Sequence, residues 1–118
     1  MKEKNMHEYS VVQALLNQCE EHAAANNATK VTKVITKIGV MSGIETQLLQ
    51  TAFDTFKEGT ICENAEFIQN IQKLKLECKE CGNVFEVDEV RYYCYKCESL
   101  RVKVLDGEEM YLMSLEMS

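Results

Sequence analysis

The sequence predicts an α+β fold in which two helices lie on a small mixed three-stranded sheet, with a cysteine-rich lobe inserted near the end. Two stretches place apolar residues at helical spacing. Four others are rich in β-branched residues or alternate apolar and polar residues, which favours strands. Two Cys-x-x-Cys pairs stand between the second and the third of these strands.

The first helix is predicted over residues 9–26, where Ser10 followed by Gln13 fits a capping box. Residues 30–40 also fit a helical period. Their density of β-branched side chains favours a strand, because such side chains lose rotamer freedom in a helix. We therefore expect a helix followed by a strand.

A second capping box, Ser42 with Glu45, predicts a helix that runs to about Glu58. Residues 65–76 predict one long strand. Its apolar positions change parity between Ile71 and Leu74, so we expect a bulge or kink there.

Two final strands are predicted over residues 100–105 and 110–117, with a turn at Asp106 and Gly107. The last strand alternates apolar side chains on one face, so it needs a partner and should return to the N-terminal sheet. The expected domains are 6–76 plus 106–118 for the α+β part and 77–105 for the cysteine lobe, with residues 1–5 as an N-terminal extension.

The four cysteines of the lobe are Cys78, Cys81, Cys94 and Cys97. A two-residue gap lets two thiolates on one tight turn reach the same ion, and two such turns complete a tetrahedral shell of four sulfurs that suits Zn(II). This predicts a zinc-ribbon-like lobe in which four cysteines hold a structural zinc. A redox dithiol or a disulfide pair is the alternative. A closed shell of four thiolates leaves no position for a substrate.

Composition limits the functional classes. The chain has 118 residues, 46% of them hydrophobic, and no apolar segment typical of a signal peptide or a membrane span. Six cysteines without an export signal indicate a reducing cytoplasm. The net charge of −6 argues against nucleic acid as a partner. We expect no enzyme, because neither a catalytic triad nor a phosphate-binding glycine loop is present.

Three residues outside the lobe are candidate metal ligands or caps. His7 and Glu8 precede the predicted first helix, and a histidine near a chain start is usually a solvated surface group. An imidazole with a carboxylate and backbone amides is nevertheless a donor set that suits Ni(II) or Cu(II). Glu45 is explained equally well as a helix cap.

The remaining histidine and cysteines are expected to be structural. His22 is predicted to lie on the solvent side of the first helix. Cys19 and Cys62 are predicted to be buried thiols, since an isolated cysteine behaves as a small hydrophobic residue.

Three motifs occur together and in a specific order. They are Met-His-Glu-Tyr-Ser at residues 6–10, Ile-Gly-Val-Met-Ser-Gly-Ile-Glu at 38–45, and the two Cys-x-x-Cys pairs followed by Gly-Glu-Glu-Met at 107–110. In combination they resemble the HypA/HybF family of hydrogenase maturation proteins. The resemblance covers residues 6–118.

This resemblance implies a nickel metallochaperone that delivers Ni(II) during [NiFe]-hydrogenase maturation, and in some bacteria for urease. The implied nickel site uses Met6, His7 and Glu8, and Glu45 can complete it. The implied zinc ligands are the four cysteines of the lobe. The implied partners are a HypB-type GTPase, the [NiFe]-hydrogenase large subunit and a urease accessory protein, with neither nucleic acid nor a membrane among them.

One departure from the family pattern concerns the chain start. Family members usually begin at the Met of Met-His-Glu, whereas residues 1–5 precede it in this chain. Met6 then contributes a peptide nitrogen in place of a free α-amine. A peptide nitrogen must lose its proton to bind a metal strongly, so nickel affinity would fall or depend more on pH.

Two other functions stay open on the residues alone. A non-catalytic zinc-ribbon module could bind nucleic acid or protein, although five basic and five acidic side chains balance between Cys78 and Val104. A thiol redox enzyme would require reactive thiols of low pKa at Cys78 or Cys94.

Overall fold

The computed structural model describes residues 2–87 and 92–118, with the side chains of residues 2–7 outside this description. The described chain forms two helices and two three-stranded sheets, which confirms the predicted α+β class. In chain order, the elements are α1 (Lys2–Ala25), β1 (Val31–Gly39), α2 (Thr46–Phe56), β2 (Glu66–Gln72), β3 (Leu74–Cys78), β4 (Val84–Val87), β5 (Val102–Asp106) and β6 (Met110–Met117).

The chain divides into two compact units. The first contains the chain up to Thr36 together with Ile44–Asn70 and Leu112–Ser118. The second contains Lys37–Gly43 and Ile71–Tyr111. The predicted division at residues 76–77 and 105–106 stays a prediction.

The first unit holds the two helices, which pack against each other, and most of the sheet with strand order β2-β1-β6. Ser118 and Lys30 exchange backbone hydrogen bonds of 3.0 and 3.2 Å. The last strand therefore returns beside β1, as its amphipathic pattern predicts. The Phe53 and Phe67 rings stack at 4.3 Å between centroids, which joins α2 to β2 in the core. No helix within the described residues is long and apolar enough to cross a membrane.

Helix α1 starts much earlier than predicted. It begins at Lys2, so Ser10 lies well inside the helix and the predicted capping box of Ser10 and Gln13 is wrong. Apolar periodicity does not reveal the first turns of this helix, because residues 2–5 are charged or polar. The apolar side of this helix lies in the core, where Val12 and Cys19 are fully buried.

Helix α2 begins at Thr46, with Glu45 as its N-cap in an extended conformation (φ −89°, ψ 115°). The Glu45 carbonyl accepts the first helical hydrogen bond from the Leu49 N–H at 2.9 Å. Glu45 makes no side-chain capping hydrogen bond, so the predicted capping box of Ser42 and Glu45 is wrong. The acceptor that caps this helix comes from elsewhere in the chain.

The predicted strand over residues 65–76 is two strands in two sheets. Strand β2 belongs to the first sheet, and β3 belongs to a second sheet with order β4-β3-β5. The parity change between Ile71 and Leu74 thus marks a break at Lys73 and not a bulge. In β3 the buried residues alternate cleanly with half-buried ones, because one face of the new sheet packs on a core of its own.

The second sheet is antiparallel on both sides of β3. Its core is small: Leu74, Leu76 and Val87 are buried, with half-buried apolar side chains around them. The prediction missed β4, since a four-residue segment with three apolar residues and one glutamate shows no period-two alternation.

The segment after β5 is held by residues 37–41 of the same unit. Lys37 Nζ donates to Asp106 Oδ2 at 2.6 Å, and the Gly107 N–H donates to Asp106 Oδ1 at 2.8 Å. The Lys37 hydrogen bond lowers the pKa of Asp106 despite partial burial. The Met41 N–H donates to the Gly107 carbonyl at 2.8 Å. Gly39 packs so closely here that an added Cβ would lie 2.4 Å from Gly107 backbone atoms.

This contact predicts a stability difference between two glycine substitutions. We expect Gly39→Ala to destabilise the protein by about 3 kcal/mol, because the clash is with backbone and no side chain can move aside. Gly43→Ala is the control. Gly43 has φ +79° with nothing within 4 Å of an added Cβ, so only the backbone cost of about 1 kcal/mol remains. Urea unfolding measures both variants, and equal midpoints would contradict the predicted clash.

Candidate metal sites

The four cysteines of the lobe come together in one cluster. The Sγ atoms of Cys78, Cys81, Cys94 and Cys97 all lie within 4.8 Å of one another. The Sγ–Sγ distance is 3.5 Å for Cys78 and Cys97 and 3.7 Å for Cys81 and Cys94. Within the described side chains, no other group of three or more potential ligand residues lies so close together.

The first turn of the cluster follows β3, which ends at Cys78. The Gly82 N–H donates to the Cys78 carbonyl at 2.9 Å, and the Cys78 N–H donates to the Asn83 carbonyl at 2.8 Å. Gly82 has φ +78°, a conformation that glycine adopts without strain. The Cys81 N–H points at Cys78 Sγ, with nitrogen and sulfur 3.4 Å apart.

The second turn repeats the first. The Glu98 N–H donates to the Cys94 carbonyl at 2.8 Å, and the Cys94 N–H donates to the Ser99 carbonyl at 3.0 Å. In this turn Glu98 occupies the position that Gly82 has in the first turn, with φ +61°. Two copies of one backbone turn therefore deliver the four sulfurs, and the Cys-x-x-Cys spacing encodes this geometry locally.

The environment separates the four thiols into two kinds. The backbone N–H of Cys81 contributes most to lowering the pKa of Cys78. Burial alone would raise the pKa of Cys94, but backbone N–H groups of its turn, that of Cys97 first, lower it to about 6. The Ser99 N–H acts to lower the pKa of Cys97, yet the facing Cys78 sulfur and burial raise it to about 12. The Asn83 N–H acts to lower the pKa of Cys81, but burial and the facing Cys94 sulfur raise it, so each facing pair joins a sulfur of lowered pKa to one of raised pKa.

This arrangement is a four-cysteine metal-binding site. Four soft sulfur donors with no other ligand atom suit a tetrahedral, closed shell of the kind found in structural zinc sites. Cys78 and Cys94 are buried, whereas Cys81 and Cys97 are exposed.

The second candidate site lies at the start of the chain. Glu8 is fully buried, and its Oε2 accepts a hydrogen bond from the Glu45 N–H at 2.9 Å. Glu8 is therefore the acceptor that caps α2. Its other oxygen, Oε1, is buried without a hydrogen-bond partner among the described residues. The structure brings Glu8 and Glu45 together, while the side chain of His7 lies outside the described residues.

No local sequence pattern signals this cap. A capping acceptor normally belongs to the residue at the start of its own helix, whereas Glu8 belongs to another helix. The contact could have been inferred only from the burial of Glu8, because a buried carboxylate needs a hydrogen-bond donor. Three other predictions are confirmed: Cys19 and Cys62 are buried, and His22 is exposed. A hydrogen bond with Cys62, together with burial, raises the pKa of Cys19 far above the usual thiol value.

The cap predicts a stability effect in metal-free protein. Glu8→Ala should destabilise the fold by about 2 kcal/mol, because the Glu45 N–H loses its acceptor and a buried side chain is deleted. Glu8→Gln keeps an oxygen acceptor and should lose less.

Urea unfolding and hydrogen exchange at the Glu45 amide provide the measurements. Glu21→Ala, an exposed change on the same helix, is the control. If Glu8→Ala and Glu21→Ala unfold at the same urea concentration, Glu8 does not cap α2.

Comparison with known proteins shows the family to which this chain belongs. The family described as "Hydrogenase/urease nickel incorporation, metallochaperone, hypA" matches residues 6–117. The hydrogenase maturation factor HypA of Shewanella halifaxensis is 53% identical over 112 residues, covering 95% of this chain and 97% of the relative. The corresponding factor of Aquifex aeolicus is 50% identical with the same coverage.

A solved structure shows the same fold. The solution structure of the Ni metallochaperone HypA from Helicobacter pylori is 42% identical, with a TM-score of 0.69, and covers 93% of this chain and 96% of its own. Sequence and structure agree over nearly the whole chain, which belongs to the HypA family of nickel metallochaperones of hydrogenase maturation.

Proposed function

We propose that this protein binds Ni(II) at its N-terminal segment and delivers it during [NiFe]-hydrogenase maturation, while the four cysteines hold a structural zinc ion. The family match over residues 6–117 is the observation that carries the proposal. The match begins at Met6, directly at the candidate nickel ligands.

The zinc assignment follows from the donor set. Four sulfurs within 4.8 Å of one another offer a complete soft shell. When bound, zinc would link the two turns that carry Cys78 and Cys94. The shell leaves no open position for a substrate, so we propose no catalytic role and no enzyme activity for this metal.

The nickel assignment rests on harder donors. His7 would supply an imidazole, and Glu8 and Glu45 would supply two carboxylates. The structure holds these two glutamates in contact through the hydrogen bond from the Glu45 backbone N–H to the Glu8 side chain. Glu8 Oε1 is the oxygen available to a ligand, since Oε2 is engaged by the Glu45 N–H. Nitrogen and oxygen donors suit Ni(II), whereas the thiolates suit zinc, so the two ions need not compete for one site.

Delivery implies partners. We propose a HypB-type GTPase and the [NiFe]-hydrogenase large subunit as the main ones, with a urease accessory protein as a further one, in the cytoplasm. The balance of basic and acidic residues in the cysteine lobe supports protein partners and not nucleic acid.

Native mass spectrometry with Zn(II) and Ni(II) tests the two sites separately. We expect one tightly held zinc and one exchangeable nickel per chain. His7→Ala should remove nickel and keep zinc, because the imidazole is the strongest neutral donor of the N-terminal site. Cys78→Ser should loosen zinc and keep nickel.

The chain provides its own control. His22→Ala removes the second histidine, which is exposed on the same helix, and should leave both metals bound. Nickel retained by His7→Ala, or lost equally in His22→Ala, would refute the proposed site.

The segment before Met6 yields a further prediction. Helix α1 includes residues 2–5, so the backbone N–H groups of Met6 and His7 fall within a helix. A protein that begins at Met6 frees them and adds an α-amine. We expect it to bind Ni(II) at least as tightly in calorimetry as the 118-residue chain does. Clearly weaker binding by the shorter protein would show that the extension contributes to the site.

A further inference from the structure

Strand β6 forms one edge of the first sheet, whose order is β2-β1-β6. One side of β6 pairs with β1. On its other side, no strand pairs with it among the residues that the structure describes. The strand is eight residues long, which is enough for another strand to add along it.

The hydrogen bonds to β1 show which backbone groups face the open edge. Ser118 exchanges backbone hydrogen bonds with Lys30, and Thr32 Oγ1 donates to the Glu116 carbonyl at 3.0 Å. Backbone groups alternate sides along an antiparallel strand. The N–H and C=O groups of Leu115 and Met117 therefore point outward, where an added strand would meet them.

This edge lacks the usual protection against pairing. Natural edge strands carry several charges, a proline or a bulge that prevents a further strand from adding. Between Leu112 and Met117 the only charged residue is Glu116, and the chain contains no proline. Met113 is 54% exposed on this edge. An open edge without protection indicates a partner.

A groove lies beside the same residues. It has a volume of about 300 Å³ and is lined by Leu112, Leu115 and Met117 of the strand and by His22 and Asn26 of α1. Its walls are mostly apolar, so it would take apolar side chains of an added strand at every second position.

Charge decides between two possible occupants. A second copy of this chain would also carry a net charge of −6, so self-pairing would meet electrostatic repulsion. A segment with basic residues would be attracted instead by the net negative charge. Glu116, whose side chain is 60% exposed and whose only ion pair among the described residues is a long one of 3.9 Å with Lys33 Nζ, offers a carboxylate at this edge.

We propose that residues 112–117 and the groove beside them bind an extended segment of another protein, which joins the sheet as a fourth strand and alternates apolar with basic residues. None of the proposed metal ligands takes part, so this inference stands apart from the proposed function.

A synthetic peptide of about nine residues, alternating leucine and lysine, is the probe. Its matched control has the same side chains and charge but carries N-methyl groups on the backbone amides of one edge. Fluorescence anisotropy with the full chain should show at least about tenfold weaker binding of the methylated peptide, because it cannot complete the strand pairing. Amide shifts in NMR should concentrate at residues 112–117 and at His22.

Two protein variants of equal charge complete the test. Met113→Lys places a charge on the open edge and should weaken binding of the unmethylated peptide about tenfold. Val84→Lys makes the same change at a residue 47% exposed in β4 of the other sheet, and should not weaken it.

Three outcomes would overturn the proposal. Equal affinity for both peptides would mean charge attraction alone. Shifts centred outside residues 112–117 would place the peptide elsewhere. A dimer of the unmodified protein in sedimentation velocity that Met113→Lys dissociates would make a second copy the occupant.

Discussion

The hydrogen bond from the Glu45 backbone N–H to the Glu8 carboxylate is the contact on which the N-terminal half of this protein depends. A carboxylate withdrawn from water is costly unless it is paired, and the N-terminus of α2 provides both a donor, the N–H of its N-cap residue, and the positive end of a helix dipole. The bond ties the second turn of α1 to the N-terminus of α2 at a residue adjacent to His7. The segment that we propose to bind nickel is thereby attached to the core through Glu8, while the residues before it belong to the first turns of a helix.

The second unit has a small hydrophobic core. Only Leu74, Leu76 and Val87 form its buried apolar cluster, and so small a core needs a further crosslink to hold its loops. Two turns with the same hydrogen bonds supply the four sulfurs with which a metal ion could form this crosslink. The four-cysteine site offers only soft donors, whereas the N-terminal site that we propose combines nitrogen and oxygen donors, which suit an ion that must leave again.

Several features of the fold follow from local pattern and could be predicted. The Cys-x-x-Cys spacing defines its own turn, and the alternation along β6 requires a sheet partner. The predictions that were wrong concern features that depend on distant contacts or have only a weak hydrophobic pattern. Glu8 caps a helix 37 residues away, which no local signal records. The parity change after Ile71 was visible, but its cause is the passage of the chain into another sheet. The charged start of α1 has no apolar period to reveal it.

The two turns around the cysteine cluster have the same hydrogen bonds but different backbone strain. At the position that requires a positive φ, the first turn has Gly82 and the second has Glu98. A glutamate in this conformation costs on the order of 1 kcal/mol, which a glycine avoids. The shell is therefore mechanically unequal. The turn at Glu98 carries a backbone cost that the turn at Gly82 does not, so a glycine at position 98 would relieve the strain of the second half without changing the four sulfurs.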